Sequence, residues 1–95
     1  MKLILCLVCH DVYKLTREGR RSCECGKTWG LYLEDGISAQ VSNNHSTTVL
    51  GFHNGTLLDA ILKQRDEGNR ADGLGHRFTA FLMPTNAPNV ERIDE

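Results

Sequence analysis

Apolar positions fall first in short runs with the period of a strand, and later in one run with the period of a helix. Residues 2–5 read as a short strand, and 12–15 alternate apolar with polar side chains as a half-buried strand does. Between 16 and 20 lies a polar turn containing Gly19. Segments 28–33 and 37–41 flank Glu34-Asp35-Gly36, and Asp-Gly predicts a type I′ hairpin because both central turn residues need positive φ. Asn43-Asn44 predicts a second tight turn before a strand at 47–50, which completes an antiparallel β-meander. Helical spacing then takes over at 57–67, where Leu57, Leu58, Ile61 and Leu62 share one face. Thr56 is the expected N-cap, with Asp59 placed to complement the positive end of the dipole and to pair with Lys63 one turn on. Gly68 is the expected stop. Residues 69–77 carry three charges and two glycines and read as a mobile loop before a last strand at 78–83, closed by Pro84.

The cysteines add the strongest chemical signal. All four lie in two close pairs, Cys6-x-x-Cys9 and Cys23-x-Cys25, the second followed by Gly26. Two short cysteine turns facing each other supply the tetrahedral soft-ligand set of a structural Zn²⁺ site. Gly26 lets the backbone turn its N–H groups toward sulfur, and His10 is expected beside the site. Disulfides would need an oxidising compartment. The apolar opening from Leu3 to Val8, broken by Cys6, is too short for a signal peptide, so a cytoplasmic location is expected. A thioredoxin-like role for Cys6 and Cys9 would need a helix starting at the motif, and the pattern predicts none.

The predicted fold class is therefore α+β. An N-terminal zinc ribbon (1–27), with two cysteine knuckles on one β-hairpin, continues into the meander (28–55), one helix (56–68) and a final strand (78–83). These form a single domain over 1–85, with 86–95 expected as a flexible tail poor in packing side chains. A 95-residue chain buries only about 60–65 % of its unfolded surface, so a metal is expected to carry much of the stability. The net charge of −1 argues against a protein dominated by attraction to phosphate backbones, and no stretch is apolar for long enough to span a membrane.

Candidate binding residues lie outside the cysteines. Gly51 to Thr56 is a glycine-rich turn into a helix N-terminus, where free N–H groups, His53, Asn54 and the Thr56 hydroxyl could meet a phosphate or carboxylate. The competing reading is that Asn54 and Thr56 only turn and cap the chain, and Asp59 would repel an anion. Trp29 and Tyr32 follow the second knuckle on opposite strand faces. An exposed aromatic beside Arg20, Arg21 and Lys27 could stack a base while the cations meet phosphate. Alternatively Trp29 covers the metal site and Tyr32 is core. No enzyme signature of the His-Glu-x-x-His, Gly-x-Ser-x-Gly or Walker type is present, and four thiolates leave no open metal position.

The order Cys6-x-x-Cys9 with Asp11, Cys23-x-Cys25-Gly26, Gly30-x-Tyr32, Asp35-Gly36 with Ala39, and Gly51-Phe52-x-Asn54-x-Thr56-Leu57 resembles a loose set of short bacterial and phage zinc-ribbon proteins of uncharacterised function. That likeness spans about residues 1–62, implies the metal and the meander, and supplies no activity. By analogy it implies sequestration of a host signalling nucleotide. The expected function is thus non-enzymatic capture of a small anionic, nucleotide-like ligand through Trp29, Tyr32, His53, Asn54, Thr56 and Arg21. A zinc-ribbon adaptor for nucleic acid or a protein partner is the alternative, and a small nucleotide-acting enzyme using His45, His53 and His76 the second. A homodimer through exposed strand edges is also expected.

Overall fold

The computed structural model describes residues 1–94. Eight strands and one helix follow in the order β1 (Lys2–Cys6), β2 (Val12–Lys14), β3 (Arg21–Ser22), β4 (Trp29–Tyr32), β5 (Ala39–Ser42), β6 (Thr47–Phe52), α1 (Asn54–Glu67), β7 (Ala80–Leu82) and β8 (Val90–Ile93). The class is α+β. The strands form two four-stranded sheets, β2-β1-β6-β7, antiparallel throughout, and β3-β4-β5-β8, in which β5 and β8 run parallel.

The core lies between the sheets. Ile4, Tyr13 and Val49 of the first sheet meet Ala39, Val41 and Val90 of the second, with Leu15 filling the space between them. Gly30 allows the close approach. A Cβ there would stand 2.6 Å from the Ile4 Cδ1 and 2.8 Å from the Leu15 Cδ2. Gly51 does the same under Phe81, whose ring would lie 2.5 Å from an added Cβ.

Several expectations are corrected. The 28–55 segment is not a meander: β4 and β5 pair, but β6 leaves for the other sheet and lies between β1 and β7. Its alternation was legible, its partner was not, because period-two patterning says which face is buried and nothing about which strand lies alongside. The predicted 12–22 hairpin is likewise replaced, since β2 pairs with β1 and β3 with β4. At Asp35-Gly36 only Gly36 has positive φ (66°), so the turn is not type I′. The Asp35 carboxylate instead accepts from the Ile37 and Ser38 amides and the Ser38 hydroxyl, which holds it below the usual carboxylate range.

The helix begins earlier than predicted. His53, not Thr56, is the N-cap, its Nδ1 accepting from the Thr56 amide. The Thr56 hydroxyl donates to the His53 carbonyl and accepts from the Thr79 amide. Gly68 stops the helix as expected, at φ 75°. Only Ala60 is buried along α1, so the leucine face does not seat on the core. Finally, 86–95 is not a tail as far as residue 94: β8 completes the second sheet, and Ala87 and Val90 are buried. Glu95 lies outside the described residues. Among the described residues no helix is long and apolar enough to cross a membrane.

Candidate metal centre

Cys6 ends β1 and Cys9 sits in the loop to β2, while Cys23 and Cys25 lie in the turn joining β3 to β4. The two knuckles therefore belong to two hairpins, one in each sheet, rather than to one hairpin. They meet at one end of the sandwich, with all four sulfurs within 4.8 Å of one another. The Cys6–Cys25 and Cys23–Cys25 Sγ separations are 3.7 and 3.4 Å. A tetrahedron with metal–sulfur bonds of about 2.3 Å has edges of about 3.8 Å, so these four thiolates are spaced to hold a metal ion.

The backbone is turned to favour thiolates. His10 and Gly26, each following the second cysteine of its pair, both have left-handed φ (62° and 77°). Each such turn folds amides toward sulfur. The N–H groups of Cys9 and Val8 hold the Cys6 thiol below its ordinary value, and the Thr28 amide donates to the Cys23 Sγ at 3.4 Å. Burial opposes ionisation of Cys23, yet hydrogen bonds from the Thr28 hydroxyl and amide bring it down to about 5. At Cys25 the Lys27 amide favours the thiolate, but burial and three neighbouring sulfurs outweigh it and push the thiol up to about 12. Four sulfurs this close cannot all ionise alone, and a metal cation held among them would supply the charge that lets them.

Beneath the centre, the Tyr13 hydroxyl meets the buried Thr28 hydroxyl at 3.0 Å, and burial pushes the phenol up to about 12. Ser42 joins the Trp29 backbone to the Thr47 hydroxyl, which ties the second sheet to the first. These groups lie beside the cysteines and are hydrogen-bonded to one another across the two sheets.

The predicted ligand residues do not come together. Trp29 is only 5 % exposed, with the Arg20 guanidinium stacked 3.6 Å above its ring. Arg21 donates to the Lys14 carbonyl, and the Tyr32 hydroxyl accepts from the Lys2 amide. His53, Asn54 and Thr56 lie at the opposite end of β6 from the cysteines, with the Asn54 side chain accepting from the Met1 amino group. Three of these residues border three different cavities: Trp29, Tyr32 and Thr56 each line a separate one.

A different cleft is better built for a ligand. About 560 Å³ of space opens at the free edge of β6 beyond the end of β7, bordered by Asn43, Asn44, His45, Thr48, Thr85 and Arg92, with Leu82 and Met83 as its apolar wall. Its Arg92 guanidinium donates to the Thr47 carbonyl at 3.5 Å, while its buried Nε has no hydrogen-bond partner, and among the described residues no carboxylate pairs with it. Sequence reasoning missed Arg92 by assigning it to a tail. The β-branched Val90 and Ile93 around it were the available strand signal.

No protein-family model, curated protein or solved structure matches the chain.

Proposed function

We propose that the protein is a non-catalytic binding protein, stapled by Zn²⁺ in a ribbon-like pair of knuckles, that captures a small anionic, nucleotide-like ligand. Four thiolates form a closed shell, which suits a structural ion and leaves no position for substrate. Soft sulfur donors with tetrahedral spacing favour zinc over the hard cations.

The observation that carries the ligand reading is Arg92. Arg92 lines a cleft of small-molecule size, and its guanidinium, bonded to the Thr47 carbonyl and paired with no carboxylate among the described residues, has terminal N–H groups left to meet an anion's oxygens. Asn44, Thr48 and Thr85 add neutral hydrogen-bonding groups, and Met83 gives a flat ring an apolar surface to lie on. The ligand site thus moves from the helix N-terminus to the edge of β6. Buried Trp29 and internally engaged Arg20 and Arg21 favour this reading over a nucleic-acid adaptor, because the aromatic and cations expected to grip a strand are already used. His45 borders the cleft, His53 caps α1 and His76 bonds the Gly68 carbonyl, which favours capture over acid–base turnover by the three together.

Isothermal titration of the metal-loaded chain with mono-, di- and cyclic nucleotides tests the reading. Binding is expected for at least one class, lost on Arg92→Gln and unchanged on Asn54→Ala. Silent titrations with folded protein would remove it.

A further inference from the structure

The first sheet has a second face, and it too is apolar. Register places Leu3 of β1 beside Leu50 of β6, and Leu50 beside Leu82 of β7, with Leu5 and Val12 completing the row. Their partners Ile4, Tyr13 and Val49 point the other way into the core. Of the strand positions on this outer face, only Lys14 is charged. An antiparallel sheet with one solvated face normally carries polar residues there, whereas strands apolar on both faces belong to sheets covered on both sides. Here Leu3, Leu5 and Leu50 are half-buried and Phe78 packs on Phe52, but Leu82 is 68 % and Val12 49 % exposed, so the cover within the chain is incomplete.

The helix shows the converse defect. Leu58, Ile61 and Leu62 are 57 %, 53 % and 38 % exposed, and a helix of 14 residues draws most of its stability from seating an apolar face. It cannot turn back over its own sheet. A single residue, His53, separates β6 from α1, and hydrogen bonds from the Thr79 amide to Thr56 and from the His53 amide to the Thr79 carbonyl pin its first turn. Strand-to-helix connections that fold back take about 2–6 residues. The helix therefore projects, and the radius of gyration is 15.3 Å where about 12 Å is expected of a compact chain of this length.

We propose that a second copy of the chain supplies both missing covers. In a two-fold dimer, α1 of each protomer lies across the outer face of the partner's first sheet, setting Leu58, Ile61 and Leu62 against the Leu3, Leu50 and Leu82 row. The contact is reciprocal and self-complementary, as two-fold symmetry requires. The exposed parts of Leu58, Ile61, Leu62, Leu82, Val12 and Phe78 amount to roughly 500 Å² per protomer, before half-buried neighbours and a polar rim are added, against about 800 Å² per partner in a standard stable interface. These six side chains alone supply more than half of that area.

Sedimentation velocity on the metal-loaded chain tests this. Wild type is expected at twice its 10.6 kDa mass at micromolar concentration. Ile61→Lys and Leu82→Asp are each expected to halve the mass while keeping bound metal and far-UV dichroism. Mixed together, the two variants should recover the double mass, because one helix–sheet contact is then wild type and the other places Lys against Asp. A monomeric wild type at 100-fold higher concentration would overturn the inference, as would a dimer that survives both substitutions or variants that fail to reassociate on mixing.

Discussion

The position after each cysteine pair shows how a single φ angle governs the centre. Gly26 adopts φ 77° without strain, whereas His10 carries a Cβ at φ 62°. His10→Gly is expected to hold metal and fold at least as well as wild type, while His10→Ile, β-branched in the left-handed region, is expected to cost about 2 kcal/mol. Urea denaturation of the metal-loaded proteins measures both. Tyr13 gives a pH signature at the same scale. Burial raises its phenol from an ordinary value of about 10 to about 12, so its contribution to stability is complete below pH 10 and fades as pH rises toward 12. Tyr13→Phe should flatten that alkaline decline, and the comparison is read from denaturation midpoints between pH 8 and 12. The cysteine set was legible from spacing alone because metal-ligand geometry demands particular residue types at short separations. Arg92 was not, because one arginine in a polar C-terminal stretch looks the same whether it is solvated or lines a cleft.

Elements were legible to the extent that their signals are local. The strands at β1, β2 and β4 to β6 follow the alternation of their sequences, and α1 follows its leucine spacing and Gly68. Helix caps were less so: Thr56 is a good N-cap by type, but the backbone turns at His53, and Thr56 serves instead to tie α1 to Thr79. Sheet partners were not legible, and Gly30 shows the consequence. In sequence it is a weak point in a strand, while in the fold it leaves room for the side chains of Ile4 and Leu15. Gly30→Ala is expected to destabilise by about 1–3 kcal/mol through overpacking against Ile4 and Leu15, with no loss of metal, as read from thermal unfolding and metal content.

At the scale of the molecule, the metal centre joins two sheets that share one small core. Each sheet alone would expose its inner face, and the cysteine cluster lies between the layers, so a metal held there would join the two sheets rather than close one hairpin. Removing the metal from metal-loaded protein with a strong chelator is expected to unfold both sheets in one cooperative step, since a structural ion of the zinc type would contribute about 10 kcal/mol or more of apparent binding energy. Chelator titration followed by far-UV and near-UV dichroism checks this. Loss of the first hairpin alone, with the second sheet intact, would contradict it.

Local chemistry was settled by the chain itself: which residues can bind a soft metal, that β1, β2 and β4 to β6 extend, and which segment coils. These properties depend on spacing of a few residues and on side-chain type. Tertiary structure decided the rest, namely that β6 crosses to the first sheet, that β8 joins the second in parallel, and that Arg92 faces a cleft while Trp29 is covered. Such outcomes depend on contacts between residues far apart in sequence, where many pairings satisfy the same alternation and only the packed core selects among them.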